Sequence, residues 1–207
     1  MHTMRKLKLA APERRQQLVS IAMQQISRKG FEGLRFQEVA KQAGINNATL
    51  YYHFPTKEAL IQGVVNHLTA ELKKARSGLS DAPMTALQEL RHEFDDIRKL
   101  LRATPKLFIV QIELSLRGLR DPDISNAEKQ RDHVWREHLS GIIRRGIEQG
   151  VFRRDIELEP AVTALIAQFK GIGYDAALGK RSVREIGKTI SEIARQVEHY
   201  FVWGSAS

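Results

Sequence analysis

The sequence predicts an all-α protein with about nine helices. Apolar residues recur every three or four positions along most of its 207 residues, which is the period of an amphipathic helix. No segment shows the alternation of apolar and polar residues, bounded by hairpin turns, that is typical of a strand. Apolar residues make up 42% of the chain, so we expect a sizeable buried core.

The first helix is predicted over about residues 12–29, because Pro is favoured at the first helical position and Gly30 can end the helix. Two shorter helices follow, Phe36–Ala43 and about Asn47–His53, on either side of a tight turn at Gly44. Gly44 is expected to take a positive φ, which ends the first of the two sharply. Such a helix-turn-helix can place its second helix in the major groove of DNA.

Most side chains of the second short helix end in hydrogen-bonding groups, whereas a core helix would carry mainly apolar side chains. Asn side chains hydrogen-bond adenine edges, a Thr methyl can meet a thymine methyl, and Tyr hydroxyls bond phosphates. We therefore predict base contacts from Asn46, Asn47 and Thr49, and backbone contacts from Tyr51, Tyr52, His53 and Lys57. Lys57 lies in the first turn of the next helix, whose N-terminus can itself bind an anion. The alternative, that the YYHF run only covers a small hydrophobic core, is our expectation for Phe54 alone.

The run AGINNATLYYHFPTKEAL, residues 43–60, resembles the DNA-binding signature of the tetracycline-repressor (TetR) family. The positions that carry the resemblance are Ala43, Gly44, Ile45, Thr49, Leu50, Tyr51, Tyr52, His53, Phe54, Lys57, Glu58 and Leu60. The resemblance covers roughly residues 12–60 and implies a homodimeric regulator that binds a palindromic DNA operator and responds to a small-molecule effector. The family usually has Ser or Thr before its second helix. Arg35 stands there in this chain, and Arg cannot cap the helix but can reach a phosphate.

Positive charge is concentrated in the same part of the chain. The net charge is +9, and residues 1–60 carry ten Lys or Arg against four Asp or Glu, whereas residues 61–207 carry 23 against 20. A basic patch is the electrostatic footprint of a polyanion partner. Residues 1–10, with Arg5, Lys6 and Lys8, form an arm that either follows the DNA or serves only as a solubilising tail.

A fourth helix is predicted from near Thr56, a good N-cap. Its expected buried face is Leu60, Ile61, Val64, Val65, Leu68 and Leu72. The segment Ser77–Pro83 is a turn cluster, and the domain boundary is placed near it. The fourth helix links the two parts, and we count it with the larger one. Residues 1–56 are then the predicted DNA-binding domain, and residues 57–207 are the predicted effector-binding and dimerisation domain.

Five more helices are expected in the larger part. They are predicted at about 83–102, from Thr104-Pro105 onward, from the turn at 121–123 to about Gln149, from Pro160 to about Leu178, and from the capping box Ser182-x-x-Glu185 to about Phe201. The sixth helix is apolar almost all round, so we expect it to be central. On the seventh, the residues expected to point inward are Val134, Trp135, His138, Leu139, Ile142 and Ile147.

The eighth helix is rich in small residues, which let a neighbouring helix approach closely. They are Ala161, Ala164, Ala167, Gly171, Gly173, Ala176 and Ala177. In the TetR family the last two helices of each subunit form a four-helix dimer interface, so the resemblance implies a homodimer through helices 8 and 9. The alternative is that these faces pack only within the monomer.

The resemblance also implies an effector pocket among helices five to eight. The candidate lining residues are large aromatic groups and two polar groups of the sixth helix: Phe94, Phe108, Gln111, Glu113, Trp135, Phe169 and Tyr174. A buried carboxylate is costly unless it is paired, so Glu113 facing a cavity would indicate a cationic or hydrogen-bonding ligand. The alternative is that the aromatic groups are ordinary core and that Glu113 meets solvent or an Arg.

No catalytic residue, cofactor or metal site is predicted. The absence of Cys excludes disulfides, thiolate zinc sites and Cys nucleophiles. Glu89-x-x-His92-Glu93 has the spacing of helical metal sites, but a solvated polar face is the expected explanation. No phosphate-binding glycine loop follows a strand. No apolar run is long enough for a signal sequence or a membrane helix, so we expect a cytoplasmic protein without a membrane partner.

We therefore predict a homodimeric, ligand-responsive DNA-binding transcriptional repressor that is not an enzyme. Some TetR-family members activate transcription, which leaves the direction of regulation open. Two other classes remain: an architectural protein that binds DNA without sequence preference, and a helical ligand-binding protein or enzyme whose basic head is incidental.

Overall fold

The computed structural model describes residues 10–76 and 84–202, and within them the chain forms nine α-helices and no strand. The helices are α1 Ala11–Lys29, α2 Phe36–Ala43, α3 Asn47–His53, α4 Lys57–Arg76, α5 Ala86–Ala103, α6 Lys106–Gly118, α7 Pro122–Glu148, α8 Leu158–Leu178 and α9 Val183–Val202. The predicted all-α class is confirmed. Three predictions lie outside the described residues: the arm with Arg5, Lys6 and Lys8, the burial of Leu72, and the turn cluster Ser77–Pro83.

The chain divides into two compact units between His67 and Leu68. This division falls within α4, which therefore contributes residues to both units. The division lies between the predicted domain limit after residue 56 and the predicted turn cluster at Ser77–Pro83. None of the helices in the described ranges is long and apolar enough to cross a membrane.

The first unit packs α1 against α2 and against a 3₁₀ turn at Phe31–Gly33, and packs α2 against α3. Its buried apolar residues are Leu18, Val19, Ala22, Ile26, Phe31, Leu34, Val39, Ala40, Ala43, Leu50, Phe54, Leu60, Ile61, Val64 and Val65. Helices of eight and seven residues, such as α2 and α3, are too short to be stable alone in water. The packing of α2 on α1, and of α3 on α2, is therefore what holds these two helices in place.

In the second unit α5 packs on α7 and α9, α6 packs on α7 and α8, and α8 also packs on α7 and α9. Its core is built from the inward faces of these helices, including Leu90, Phe94, Leu139, Ile143, Val162, Ile166 and Ile190. Val134 does not belong to it. This side chain is 53% exposed, so the prediction that it points inward is wrong.

The sixth helix is not the central element that its composition predicts. Leu107, Val110 and Leu114 are buried, but Leu116 is 54% exposed. Phe108, on another part of the same helix, faces a cavity. The helix is apolar nearly all round because one face lies on the core and another on a cavity, and helical periodicity cannot distinguish these two environments.

The predicted N-caps at Thr56 and Ser182 are confirmed. The N–H of Ala59 donates to Thr56 Oγ1 at 3.1 Å, and the N–H of Glu185 donates to Ser182 Oγ at 3.2 Å. Two predicted starts are displaced. α5 begins at Ala86, after its N-cap Thr85, about three residues later than expected, and α8 begins at Leu158 rather than at Pro160. Pro160 is tolerated at the third position because the first four N–H groups of a helix have no partner within it.

Candidate nucleic-acid interface and ligand cavity

Gly44 sets the turn between α2 and α3. Its φ of 65° and ψ of 36° are left-handed, as predicted, and glycine adopts this conformation without a steric cost. The N–H of Gly44 donates to the carbonyl of Lys41 at 3.1 Å, and the N–H of Ile45 donates to the carbonyl of Ala40 at 3.0 Å. This pattern satisfies the last carbonyls of α2 and fixes the direction in which α3 leaves.

Asn46 caps the start of α3. Its Oδ1 accepts hydrogen bonds from both the N–H and the hydroxyl of Thr49, each at 2.8 Å. A paired contact to adenine needs the same oxygen as acceptor, so capping and that contact compete. Asn47, the first residue of the helix, is exposed. The structure thus gives Asn46 and Thr49 a local role that the sequence pattern did not reveal.

The rest of α3 carries an aromatic ridge, Tyr51 to His53, in which both tyrosines are exposed and His53 is half-buried. Tyr51 is 53% exposed and Tyr52 is 80% exposed. The ring of Tyr51 packs on Phe36 with centroids 4.9 Å apart, and the rings of Tyr52 and His53 meet edge-on at 5.2 Å. Phe54 is fully buried, which confirms the core position predicted for it alone. A contiguous exposed aromatic surface of this kind is typical of a binding site.

The two predicted phosphate-binding cations, Arg35 and Lys57, lie at the starts of α2 and α4. Arg35 is exposed and makes no side-chain cap to α2, as predicted, and its guanidinium donates to the carbonyl of Glu32. Lys57 Nζ donates to the carbonyl of Phe31 at 3.4 Å. A guanidinium has five N–H donors and an ammonium has three, so both side chains keep donors for a further acceptor.

Arg14 and Arg15 of α1 contact the ends of α2 and α3, although no sequence motif marks them. Arg15 Nη1 donates to the carbonyl of His53 at 2.6 Å, and its guanidinium lies 4.1 Å from the ring centroid of Phe54. Arg14 Nη1 donates to the carbonyl of Ala43 at 3.4 Å. These bonds satisfy carbonyls at the ends of the two short helices. They join residues 38 and 29 positions apart, so no local pattern could reveal them.

The second unit contains a cavity of about 1000 Å³, at the upper end of the range for small-molecule sites. Its apolar wall is formed by Leu68, Ile97, Leu100, Leu107, Phe108, Ile112, Leu119, Trp135 and Phe169. Its polar wall includes Gln111, Ser115, Ser125, Glu128, Lys129, Arg131, Asp132, His133, Arg136, Lys170 and Tyr174.

Five of the seven predicted pocket residues line this cavity: Phe108, Gln111, Trp135, Phe169 and Tyr174. Phe94 lies behind the wall, fully buried, with its ring centroid 4.9 Å from that of Phe169. Glu113 is half-buried on α6 and is not among the lining residues. The sequence missed the acidic and basic groups of α7, because their helical spacing resembles that of a solvated face.

Asp132 lies in the polar wall between two cations. Burial raises the pKa of Asp132, but hydrogen bonds from Lys170 Nζ at 2.7 Å and Arg136 Nε at 2.8 Å outweigh it and hold the pKa below its ordinary value. The carboxylate is therefore ionised at neutral pH, with two basic partners.

Glu93 contradicts the solvated face predicted for Glu89-x-x-His92-Glu93, since it is 6% exposed. Its Oε2 accepts a hydrogen bond from Trp135 Nε1 at 3.3 Å, and its Oε1 lies 2.9 Å from His138 Nε2. Glu93 is buried because α7 packs on α5, whereas Glu89 and His92 are half-buried. In the described part of the chain, no group of three or more His, Asp or Glu side chains could hold a metal ion.

Comparison with known proteins identifies the family. Residues 18–64, which include α2, the Gly44 turn and α3, match the model of the bacterial regulatory proteins of the tetR family. Over 94% of its length the chain is 25% identical to the HTH-type transcriptional repressor KstR2 of Rhodococcus jostii, and the match covers 92% of that protein. The chain belongs to the TetR family.

Two other regulators are similar to the chain over different extents. The HTH-type transcriptional regulator RutR of Escherichia coli K12 is 33% identical over 84 residues, which is 39% of each chain. The crystal structure of a transcriptional regulator from Saccharomonospora viridis in complex with choline has the same fold. Its TM-score is 0.79 at 24% identity, over 92% of this chain and 98% of that chain. This TetR-family chain is a transcriptional regulator, and its named relatives are regulators rather than enzymes.

Proposed function

We propose that this TetR-family regulator is a repressor that binds a palindromic operator as a homodimer and leaves it when a small molecule occupies the cavity. The observation that carries the proposal is the surface of α3. This helix buries Leu50 and exposes Asn47, Tyr51 and Tyr52, beside a turn in the segment where positive charge is concentrated.

Asn47 is the leading candidate for a base contact, because it is exposed at the first position of α3. Thr49 contributes its methyl group, and Asn46 contributes its amide N–H donors, since its oxygen is engaged in the cap. The groups proposed to bind the DNA backbone are Arg35, Tyr51, Tyr52, His53 and Lys57.

The homodimer is proposed to form through α8 and α9. An exposed row on α8 recurs at intervals of three and four and therefore lies on one face: Ala164, Ala167, Gly171, Tyr174 and Leu178. A Cβ added at Gly171 would meet nothing within 4 Å, which leaves room for a partner helix to approach. A two-fold dimer would present its α3 helices to half-sites about 34–36 Å apart.

The cavity is the proposed effector site. The choline complex of the Saccharomonospora viridis regulator supports a small-molecule ligand for a protein of this fold. Leu68 of α4 lines the cavity, and α4 begins at Lys57, so we propose that α4 transmits ligand binding. The ligand would favour a dimer with wrongly spaced α3 helices. A coupling free energy of about 1–3 kcal/mol would change operator affinity about 5–150-fold.

The test is binding to the DNA that flanks the protein's own gene, titrated against random DNA at physiological salt. We expect wild type to prefer the flanking DNA by about a thousandfold or more. Asn47→Ala should lose about 1–3 kcal/mol of that preference, whereas Tyr52→Ala should weaken binding to both DNAs equally.

The matched control is Asn66→Ala, because Asn66 is an exposed Asn of the same unit on α4. Its DNA affinity should equal that of wild type. Equal binding of wild type to both DNAs would contradict the repressor proposal and favour an architectural role. Increased transcription from a promoter whose DNA it binds selectively would indicate an activator instead.

A further inference from the structure

Two buried polar atoms at the cavity have no hydrogen-bond partner among the described residues: Nη1 of Arg131 and Oε1 of Gln111. Both side chains line the cavity. Their other polar atoms, Arg131 Nη2 at 2.6 Å and Gln111 Nε2 at 2.9 Å, donate to the same oxygen, Oε1 of Glu128. The two unpartnered atoms therefore belong to groups that are held side by side against one carboxylate.

The chemical character of each unpartnered atom is fixed. A guanidinium has only donors, so Nη1 of Arg131 needs an acceptor. The amide of Gln111 must direct its nitrogen at Glu128, because the reverse orientation would place two acceptors together. Its oxygen therefore needs a donor. Buried polar groups are nearly always hydrogen-bonded to protein, ordered water or a ligand, so a bound molecule with an acceptor and a donor could satisfy both atoms in place of water.

The charges around the cavity favour an anion. The charged lining residues are four cations and two acids: Lys129, Arg131, Arg136, Lys170, Glu128 and Asp132. Each acid already accepts two hydrogen bonds, Glu128 from Gln111 and Arg131 and Asp132 from Arg136 and Lys170. Each carboxylate thus already has a cationic partner, which reduces its attraction for a cationic ligand.

We propose, on the basis of the ligand-responsive function above, that the effector is an amphipathic carboxylic acid with a hydrogen-bond donor near its carboxylate. The carboxylate accepts from Arg131 Nη1, and the donor, a hydroxyl or N–H group, meets Gln111 Oε1. The apolar body packs on Phe108, Trp135 and Phe169, which form part of the apolar wall.

The first experiment compares ligands of one chain length by calorimetry on the full-length protein without DNA. The probes are decanoate, 1-decanol and decyltrimethylammonium. We expect decanoate to bind most tightly and the quaternary ammonium most weakly. 3-Hydroxydecanoate, which adds a donor near the carboxylate, should bind more tightly than decanoate. Equal or weaker binding of the hydroxy acid would remove Gln111 from the proposal.

The second experiment removes the charge without leaving a buried carboxylate unpaired. In the double variant Arg131→Gln/Glu128→Gln we expect the affinity for decanoate to fall about tenfold or more, while the affinity for 1-decanol stays unchanged. The matched control is Arg144→Gln, since Arg144 is an exposed Arg of the same helix and does not line the cavity. Its affinity for decanoate should equal that of wild type. Urea unfolding verifies that each variant is folded.

The proposal is overturned if the quaternary ammonium binds most tightly, if no probe binds, or if the double variant binds decanoate as well as wild type does. Operator binding without ligand is measured in parallel. If only the ligand class is wrong, wild type still prefers operator DNA to random DNA. If the proposed function is wrong, wild type shows no such preference, so the two failures can be distinguished.

Discussion

Glu93 joins α5 to two side chains of α7, one of which forms part of the cavity wall. It accepts a hydrogen bond from the indole of Trp135 and pairs with His138. Trp135 also stacks on Phe169, with ring centroids 5.4 Å apart. The position of this wall therefore depends on an acid that does not itself line the cavity.

We predict that Glu93→Leu lowers the free energy of unfolding by about 1–3 kcal/mol, because buried polar groups lose a partner that water cannot replace. Glu93→Gln, which keeps one acceptor in place, should lose less. Urea unfolding followed by circular dichroism measures both variants. The control is Glu137→Leu, since Glu137 is exposed on α7 and surface substitutions usually change stability by less than about 0.5 kcal/mol.

An unfolding free energy of Glu93→Leu equal to that of wild type would contradict this prediction. It would show that apolar packing compensates for the lost hydrogen bonds, as it can when a buried polar group is replaced by an apolar one of similar size.

Asn46 shows that helix capping and DNA recognition can compete for one atom. Its Oδ1 accepts two hydrogen bonds from Thr49, and capping by Asn typically stabilises a helix by about 1 kcal/mol. Asn47 has no part in this cap. The two asparagines are adjacent, but Asn46 precedes α3 and caps it, whereas Asn47 is the first residue of the helix. The amide oxygen of Asn46 is therefore engaged in the cap, and that of Asn47 is not.

Asp132 connects two elements, since Arg136 lies on its own helix α7 and Lys170 lies on α8. Burial raises the pKa of Asp132, but these two hydrogen bonds bring it below the ordinary value of 3.8. A group whose pKa is lower in the folded state stabilises the fold above its ordinary pKa. That contribution is lost as the pH falls through the folded-state pKa.

We predict that Asp132→Asn lowers the free energy of unfolding by about 0.2–1 kcal/mol at neutral pH, the range for ion pairs that are not fully buried. The difference from wild type should shrink as the pH falls below 3.8, because wild type then loses the same charge. Urea unfolding at a series of pH values measures this. Glu137→Gln, which removes an exposed charge from the same helix, should show no such convergence. A difference that persists in acid would mean that the charge of Asp132 is not the cause.

For the whole molecule, the exposed row on α8 is the surface proposed to join two copies. A stable interface buries about 1,200–2,000 Å² in total, which one helix face cannot supply alone, so α9 is expected to contribute. In the proposed dimer, operator binding would depend on this contact, because one α3 helix reads only one half-site.

We predict that Ala167→Arg converts the proposed dimer to a monomer, because an unpaired charge would be buried within the row. Light scattering after size exclusion should give a mass near the 23.6 kDa of one chain and twice that mass for wild type. Gln130→Arg adds the same charge at an exposed position of α7 and should remain dimeric. A dimeric Ala167→Arg protein would place the interface elsewhere.

Features that depend on neighbouring residues could be predicted from the sequence. The positive φ of Gly44 and the caps at Thr56 and Ser182 are confirmed, because each depends mainly on residues within a turn or two of the chain. The start of α8 was misplaced by two residues, since Pro is equally acceptable at several positions of the first helical turn.

Features that depend on distant residues could not be predicted. Glu93 was expected on a solvated face, and Arg15 was counted only as part of a basic segment, yet both make bonds to residues about forty positions away. Leu116 and Phe108 lie on one apolar helix, but one is exposed and the other lines a cavity. Periodicity shows which residues share a face, and it does not show what that face meets.

The sequence by itself determined the all-α class, the helix-turn-helix and the family, because helix periodicity, glycine stereochemistry and a local motif act over short distances along the chain. Only the tertiary structure decided which polar groups are buried and which remain without a partner. The reason is that hydrogen bonding and desolvation depend on the packing of α5, α7 and α8 against one another, and residues far apart in sequence supply the atoms that meet there.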